Sequence, residues 1–488
     1  MHKFVPFMIV ASVAGCSSDA TLGSEACVDD GSLPSKTDAK SQALPGPEKW
    51  NRDVTKPADD KAMAGRSECS YKAGSLAAET QGSSRPNGTE IPINHILLVM
   101  KENRSFDHMF QMLPQWGQPD VEVAPDGFTN PDKDGKPVAP FHDTQACFPD
   151  TNHTWAGVHR QENGGKMDGF VITNDHFMED DEKFPAELLS GKRAMGYNAP
   201  TDLPFYYWLA NEFGIADHYF CSVLGPTFVN RLYFYTATSF GLVDNGLPSV
   251  DTTDRNIFDE LEKRQVDWKV YAVGTPGFGV LLQQAIQYKK HIRPFEEYLS
   301  DAAAGTLPSV AFIDPDLGTG RVSTNDEHPP SPVSYGEQWT ATVVDALTKS
   351  PNWGDSALFF TYDEHGGLFD HVVPPKACPP GDMDPKLSAT DPKAGFDQLG
   401  IRVPMIVVSP YAKKHFVGHR TYDHTSILRF IEARFVLPAL TNRDANAEAP
   451  WEFFDFENAQ HKCPPSVKIP AGFDAARLEA CKKQLGKD

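Results

Sequence analysis

The chain has 488 residues, with 45 Lys and Arg against 66 Asp and Glu, giving a formal net charge of −21. That balance repels phosphate backbones and anionic surfaces, which excludes general nucleic-acid binding and membrane adhesion through a basic patch. With 40% hydrophobic and 11% aromatic residues, the chain can bury a large core, and wholesale disorder is excluded as well.

The first residues set the compartment. Met1-His2-Lys3 is a short basic start, Phe4 to Val13 is an apolar run too short to cross a bilayer, and Val13-Ala14-Gly15-Cys16 ends it with small residues before a cysteine. This predicts a signal peptide over residues 1–15 whose end resembles a bacterial lipobox, with Cys16 as the lipidated residue. The expectation is an exported lipoprotein of the cell envelope, tethered to a membrane by acyl chains. Seven further cysteines predict three disulfides and one free thiol. Cys463 with Cys481 is the expected local pair, Cys27 and Cys69 are a candidate staple, and Cys221 is the expected buried free thiol.

Residues 16–90 are rich in Ser, Gly, Pro, Ala and charge, with only Trp50 and Tyr71 as aromatics, and are read as a polar tether. Composition shifts at Ile91. From there several apolar runs end in polar residues: His95 to Met100 runs into Lys101-Glu102-Asn103, and Val266 to Val273 into a Gly/Pro loop. Ser309 to Ile313 ends at Asp314, Ala357 to Tyr362 at Asp363-Glu364-His365, and Val403 to Val408 at Ser409-Pro410. Runs of this kind read as strands covered on both faces. Trp339, Val343, Val344 and Leu347 fall on one helical face, as do Ile427, Leu428, Ile431 and Phe435 after Asp423, a plausible N-cap. The fold class is therefore α/β, a mainly parallel β-sheet between helical layers, with ligands expected at the carboxyl ends of the strands. The domain plan is a catalytic domain over residues 91–440 and a C-terminal tail over 441–488 packed on it.

The acidic and amide pairs sit at those strand ends. Glu102-Asn103 and Asp363-Glu364 could converge on a divalent cation through oxygen ligands, although isolated loop carboxylates are usually just solvated. A threonine such as Thr227, after the tight Gly225-Pro226 turn, would by itself read as a turn residue.

The blocks around these residues resemble a known family. Lys101-Glu102-Asn103-Arg104-Ser105-Phe106-Asp107-His108 is similar to the ENRSFDH signature of the bacterial phosphoesterases that include the non-haemolytic phospholipases C and an acid phosphatase branch. Asn152-His153 with Asn163 to Phe170, Asp217 to Arg231, Asn325 to Pro330, and Tyr362 to Gly367 with Phe369-Asp370-His371 resemble its later blocks in order. Two departures stand out: Asn152 precedes His153 where members commonly have Asp, and Val229 stands where many have Pro.

The resemblance implies an alkaline-phosphatase-like fold and a divalent metal ion, whether Ca, Zn, Mn, Mg or Fe, held by Glu102, Asn103, Asp363 and Glu364 with Thr227 beside it as nucleophile. Metal coordination or a base is what turns a threonine hydroxyl into a nucleophile. His153, His328 and His365 are the candidate donors to phosphoryl oxygens, with His328 first as general acid. Asn230, Arg231 and, at a helix N-terminus, His424 are the candidate phosphate binders. The implied activity is a metal-dependent phospholipase C acting through a phosphothreonine, since threonine as nucleophile resembles that branch. The alternatives are an acid phosphatase on the same scaffold and a non-catalytic surface-binding lipoprotein. Phospholipid or another phosphate ester is the expected partner, with membrane contact through the lipid anchor; no protein partner is indicated.

Overall fold

The computed structural model describes residues 44–145, 147–178, 184–318, 321–471 and 475–486. The signal sequence, Cys16 and Cys27 lie outside them. No helix among the described residues is long and apolar enough to cross a membrane.

An eight-stranded sheet forms the centre. In chain order its strands are β1 (His95–Lys101), β2 (Gly214–Ala216), β3 (Trp268–Ala272), β4 (Ile292–Pro294), β5 (Val310–Asp314), β6 (Ser356–Tyr362), β7 (Met405–Val408) and β8 (Phe416–Gly418). The spatial order is β8-β2-β7-β6-β1-β5-β3-β4. β1 lies parallel between β6 and β5, β3 and β4 extend the parallel set, and β2 pairs parallel with β8. Only β7 runs against its neighbours in this sheet, antiparallel to both β6 and β2. The apolar runs predicted as strands all form, because every residue of β5, β6 and β7 is buried and only a strand covered on both faces tolerates that pattern.

Adjacent residues of one strand show both covers. Phe359 of β6 packs on Phe430 of the His424–Phe435 helix, with ring centroids 5.2 Å apart, while its neighbour Phe360 packs on Tyr206 of the Pro204–Glu212 helix at 5.2 Å. Successive side chains point to opposite faces of a sheet, so these helices lie on opposite sides of it. Burying each such ring contributes about 1.5–3 kcal/mol. Asp423 caps the His424–Phe435 helix through the Thr425 N–H, as predicted.

Three expectations change. The reversed direction of β7 puts Ser409-Pro410 at the opposite edge of the sheet from Glu102 and Asp363; the residue entering β7 from the site's edge is Arg402. Residues 44–90 are folded against the domain and do not hang as a bare tether. Trp50 is buried with the Arg264 guanidinium 5.0 Å from its ring, Asp59–Ser67 is helical, and Gln81 is hydrogen-bonded to Ala447, Ala449 and Trp451. Trp50 and Gln81 of this polar segment find distant partners, which local composition does not reveal.

The disulfides differ too. Cys69 joins Cys378 and Cys147 joins Cys481, across 309 and 334 residues; Cys463, also disulfide-bonded, is thus not paired with Cys481. Sequence proximity favoured short loops, but the Ala475–Leu485 helix returns to the middle of the chain, where Cys147, Val322, Cys481 and Leu485 form one apolar cluster. Cys221 is free and buried, as expected.

The Cys69–Cys378 bond closes a very long loop, and such bonds stabilise chiefly by restricting the unfolded chain. Replacing both cysteines by serine is expected to cost about 2–4 kcal/mol, read as a lower midpoint of thermal unfolding under non-reducing conditions. An unchanged midpoint would mean that Trp50 and the Gln81 hydrogen bonds hold the segment without it.

Candidate active site

The parallel register sets Lys101 beside Tyr362, so the residues that follow, Glu102-Asn103 and Asp363-Glu364, emerge together at the carboxyl edge. Asn103 has φ of 66°, a left-handed conformation that asparagine tolerates better than most residues. From there its N–H donates to Asp363 Oδ1 at 3.2 Å, and the Glu364 N–H donates to the same oxygen at 2.7 Å.

The Thr227–Thr236 helix delivers the hydroxyl. Thr227 is its first residue, after Pro226, and its Oγ1 lies 3.4 Å from Asn103 Oδ1 and 3.5 Å from Glu364 Oε1. Asn230 shapes the turn before it: its Nδ2 donates to the carbonyls of Val223, Gly225 and Pro226, and its Oδ1 accepts from the Val223 N–H. One position on, Arg231 bridges Glu102 (Nη2 to Oε1, 3.3 Å) and Asp363 (Nε to Oδ2, 3.2 Å). Neither side chain is directed as expected of a phosphate binder. Asn230 is spent on the turn; Arg231 holds the carboxylates with Nε and Nη2, while its buried Nη1 has no hydrogen-bond partner.

Glu102, Asp363 and Glu364 are all buried. Burial pushes the Asp363 and Glu102 carboxyls above their ordinary range despite Arg231. Glu364 is burdened by burial as well, but His153 and His365 outweigh it and hold its carboxyl below that range. One guanidinium bridges two of these three buried carboxyls, Glu102 and Asp363, and a buried charge without a partner is costly. With Asn103 Oδ1 and Thr227 Oγ1 the three carboxyls offer oxygen donors of the kind a hard or borderline divalent cation takes, although their carboxylate oxygens do not all lie within 4.8 Å of one another.

Opposite stands a histidine pair. His153 Nδ1 lies 2.7 Å from the Thr151 carbonyl, leaving Nε2 toward Asn103 Nδ2 at 3.5 Å and Glu364 Oε1 at 4.0 Å. The His328 ring is 5.5 Å away, centroid to centroid, and nearly perpendicular; its Nδ1 lies 2.6 Å from the Pro329 carbonyl. Asp150, absent from the sequence reading, joins them. Its Oδ2 is buried without a hydrogen bond, 3.8 Å from His153 Nδ1 and 3.9 Å from His328 Nε2. Burial alone would lower the His328 pKa, but Asp150 and Glu102 raise it above its ordinary value. Ligand atoms of Asp150, His153 and His328 all lie within 4.8 Å of one another and could hold a metal ion. The only sequence signal for Asp150 is an acid three residues before a candidate histidine.

The other two histidines act from behind. His365 Nε2 lies 2.7 Å from Gln161 Oε1 and its Nδ1 3.3 Å from Glu364 Oε2, so it orients Glu364 and does not face a ligand. His424 has Tyr219 OH at 2.9 Å from Nδ1 and the Asp363 carbonyl at 2.7 Å from Nε2; burial lowers its pKa to about 4. With both nitrogens taken, its packing role prevails over the expected phosphate role. A second acid–histidine cluster, Asp107, Asp370 and His371, is filled from within by Arg402, which pairs with Asp107 at 2.7 Å and Asp370 at 3.1 Å.

Residues 93–438 match the Phosphoesterase family. The chain is 32% identical over 469 residues to phospholipase C B of Mycobacterium tuberculosis, covering 84% of this chain and 86% of that one. It is 31% identical over 444 residues to non-specific phospholipase C1 of Arabidopsis thaliana, covering 82% and 79%. Among solved structures, a protein in the alkaline phosphatase superfamily from Vibrio parahaemolyticus aligns with a TM-score of 0.31 at 9% identity, over 70% of this chain and 78% of that one. With the acidic strand ends, the threonine at a helix start and the histidine pair all inside the matched region, the chain belongs to the phosphoesterase family and is a hydrolase of phosphate ester bonds.

Proposed function

We propose that the protein is a phospholipase C that cleaves the phosphodiester of a glycerophospholipid through a phosphothreonine at Thr227. The observation that carries this reading is the position of Thr227 Oγ1, at a helix start, with Glu364 Oε1 3.5 Å away. The named relatives support the phospholipase branch.

Thr227 Oγ1 attacks phosphorus and gives its proton to Glu364, the nearby carboxylate, which His153 and His365 stabilise in its ionised form. The bond from phosphorus to the diacylglycerol oxygen breaks in line, and His328, whose pKa Asp150 and Glu102 raise, donates its proton to that leaving oxygen. Water then attacks the phosphothreonine, giving a proton to His328, while Glu364 returns its proton to the departing Thr227 oxygen. Phosphorylated headgroup and free enzyme result. A divalent cation held by Glu102, Asn103, Asp363 and Glu364 would favour the threonine alkoxide and offset charge on the phosphoryl oxygens. Arg231, Asn230, His365 and His424 keep the carboxylates and the nucleophile turn in place, and the Cys16 lipid anchor would keep the enzyme near its substrate.

Purified protein is expected to turn over p-nitrophenyl phosphorylcholine much faster than p-nitrophenyl phosphate; a large preference for the monoester would instead identify an acid phosphatase. Thr227→Ala and incubation with EDTA are each expected to lower phosphoesterase turnover by about a thousandfold or more, while Thr227→Ser keeps a measurable part of it. Turnover unchanged by either treatment would overturn the mechanism. His328→Asn should slow formation of the phosphothreonine from phosphatidylcholine by about a hundredfold or more but from p-nitrophenyl phosphorylcholine far less, read as the pre-steady-state burst, because p-nitrophenolate leaves without a proton. Equal losses on both substrates would remove His328 from the acid role.

A further inference from the structure

Four exposed aliphatic side chains that the chemistry does not use lie on segments linked to the nucleophile helix. In the short Leu282–Gln287 helix, Leu282 and Ile286 are 51% and 65% exposed, and at four residues' spacing they share one face. Val273, directly after β3, and Leu247 are each 44% exposed. Single exposed aliphatic residues are ordinary, but four on interlinked segments call for a partner.

Those links run to the active site. Gln283 Nε2 donates to Asp251 Oδ1 at 3.2 Å and Thr253 Oγ1 at 2.9 Å, and Thr252 Oγ1 donates to Gln284 Oε1 at 2.6 Å. These bonds join the helix to the segment carrying Leu247. In that segment Asn245 Oδ1 accepts the N–H of Phe228, the neighbour of Thr227, at 2.9 Å. On the other side the loop after Val273 passes so close to Arg231 that a Cβ at Gly277 would lie 2.6 Å from Nη1. Val273 leaves β3 level with Asp314, on the carboxyl edge that also carries Glu102 and Asp363. Exposed Lys289 and Lys290 follow the helix.

We propose that Leu247, Val273, Leu282 and Ile286, with Lys289 and Lys290 behind them, seat the enzyme on the surface of a zwitterionic phospholipid bilayer, which rests on the phospholipase C reading. A chain of net charge −21 gains nothing from an anionic surface, so its grip comes from inserted aliphatic side chains. The two lysines reach back to lipid phosphates. A lipid drawn up against this face meets the site over the Phe228–Asn245 rim, beside Thr227.

The test uses full-length protein with Cys16→Ser, which removes any acyl anchor, and phosphatidylcholine vesicles. The parent should co-sediment with the vesicles, and Leu282→Ser with Ile286→Ser should weaken that binding and vesicle hydrolysis at least tenfold. Turnover of soluble p-nitrophenyl phosphorylcholine should stay within twofold, since these side chains face solvent. Trp116→Ser serves as the control. The Trp116 carbonyl accepts from Asn211 just before β2 starts, so this exposed ring lies at the opposite edge, and its loss should leave binding unchanged. The proposal is overturned if the parent does not bind vesicles, if the double variant binds them equally well, or if it converts a dimeric parent into a monomer. Vesicle binding that depends on the patch without hydrolysis of either diester would uphold the surface and remove the phospholipase reading.

Discussion

The parallel pairing of β1 with β6 is the constraint on which the rest depends. Seven residue pairs, His95 with Ser356 through Lys101 with Tyr362, hold two segments some 260 positions apart in strict register. Because both strands are buried along nearly all their length, a slip of one residue would carry each side chain from one helical layer to the other, into packing that its shape does not fit. The same slip would separate Glu102-Asn103 from Asp363-Glu364. Core packing and site geometry are thus one requirement, met by one ladder of hydrogen bonds.

That arrangement gathers negative charge where water is excluded, and the surrounding residues answer it. Arg231 spans Glu102 and Asp363, His365 and His153 favour ionised Glu364, and His424 holds the Asp363 carbonyl from below. None of these contacts neutralises all three carboxyls. The remaining imbalance is what the proposed mechanism would use, since attraction for a cation and for a developing alkoxide would come from the same oxygens. Asn230 completes the set by fixing the turn before Thr227, so that the hydroxyl is held by backbone geometry and not by its own rotamer alone.

Much of this was legible in the sequence. Continuous apolar runs announced strands buried on both faces, their polar ends announced the site, and the ordered blocks announced the phosphoesterase family. What escaped was whatever depends on long-range closure. The direction of β7 is invisible in Met405 to Val408 alone, because an all-buried strand reads the same either way. Asp150 lacks a motif of its own and matters only because Pro329 and Thr151 turn two histidines toward it. Arg231, Asn230 and His424 carry the chemistry of phosphate binders, yet each is already engaged by nearer partners, and only coordinates reveal that. Trp50 and Cys69 sit in a segment whose composition suggests a tether, while their partners, Arg264 and Cys378, lie hundreds of residues away.

The Cys147–Cys481 bond adds an order in time. Cys147 is three residues from Asp150, and its apolar cluster includes Val322, on the segment leading to His328. The covalent support of both histidine-bearing loops therefore waits for residue 481, which leaves the ribosome after every strand of the sheet. Before that bond closes, β1 and β6 can already hold the carboxylate half of the site while the histidine half still lacks its fastening.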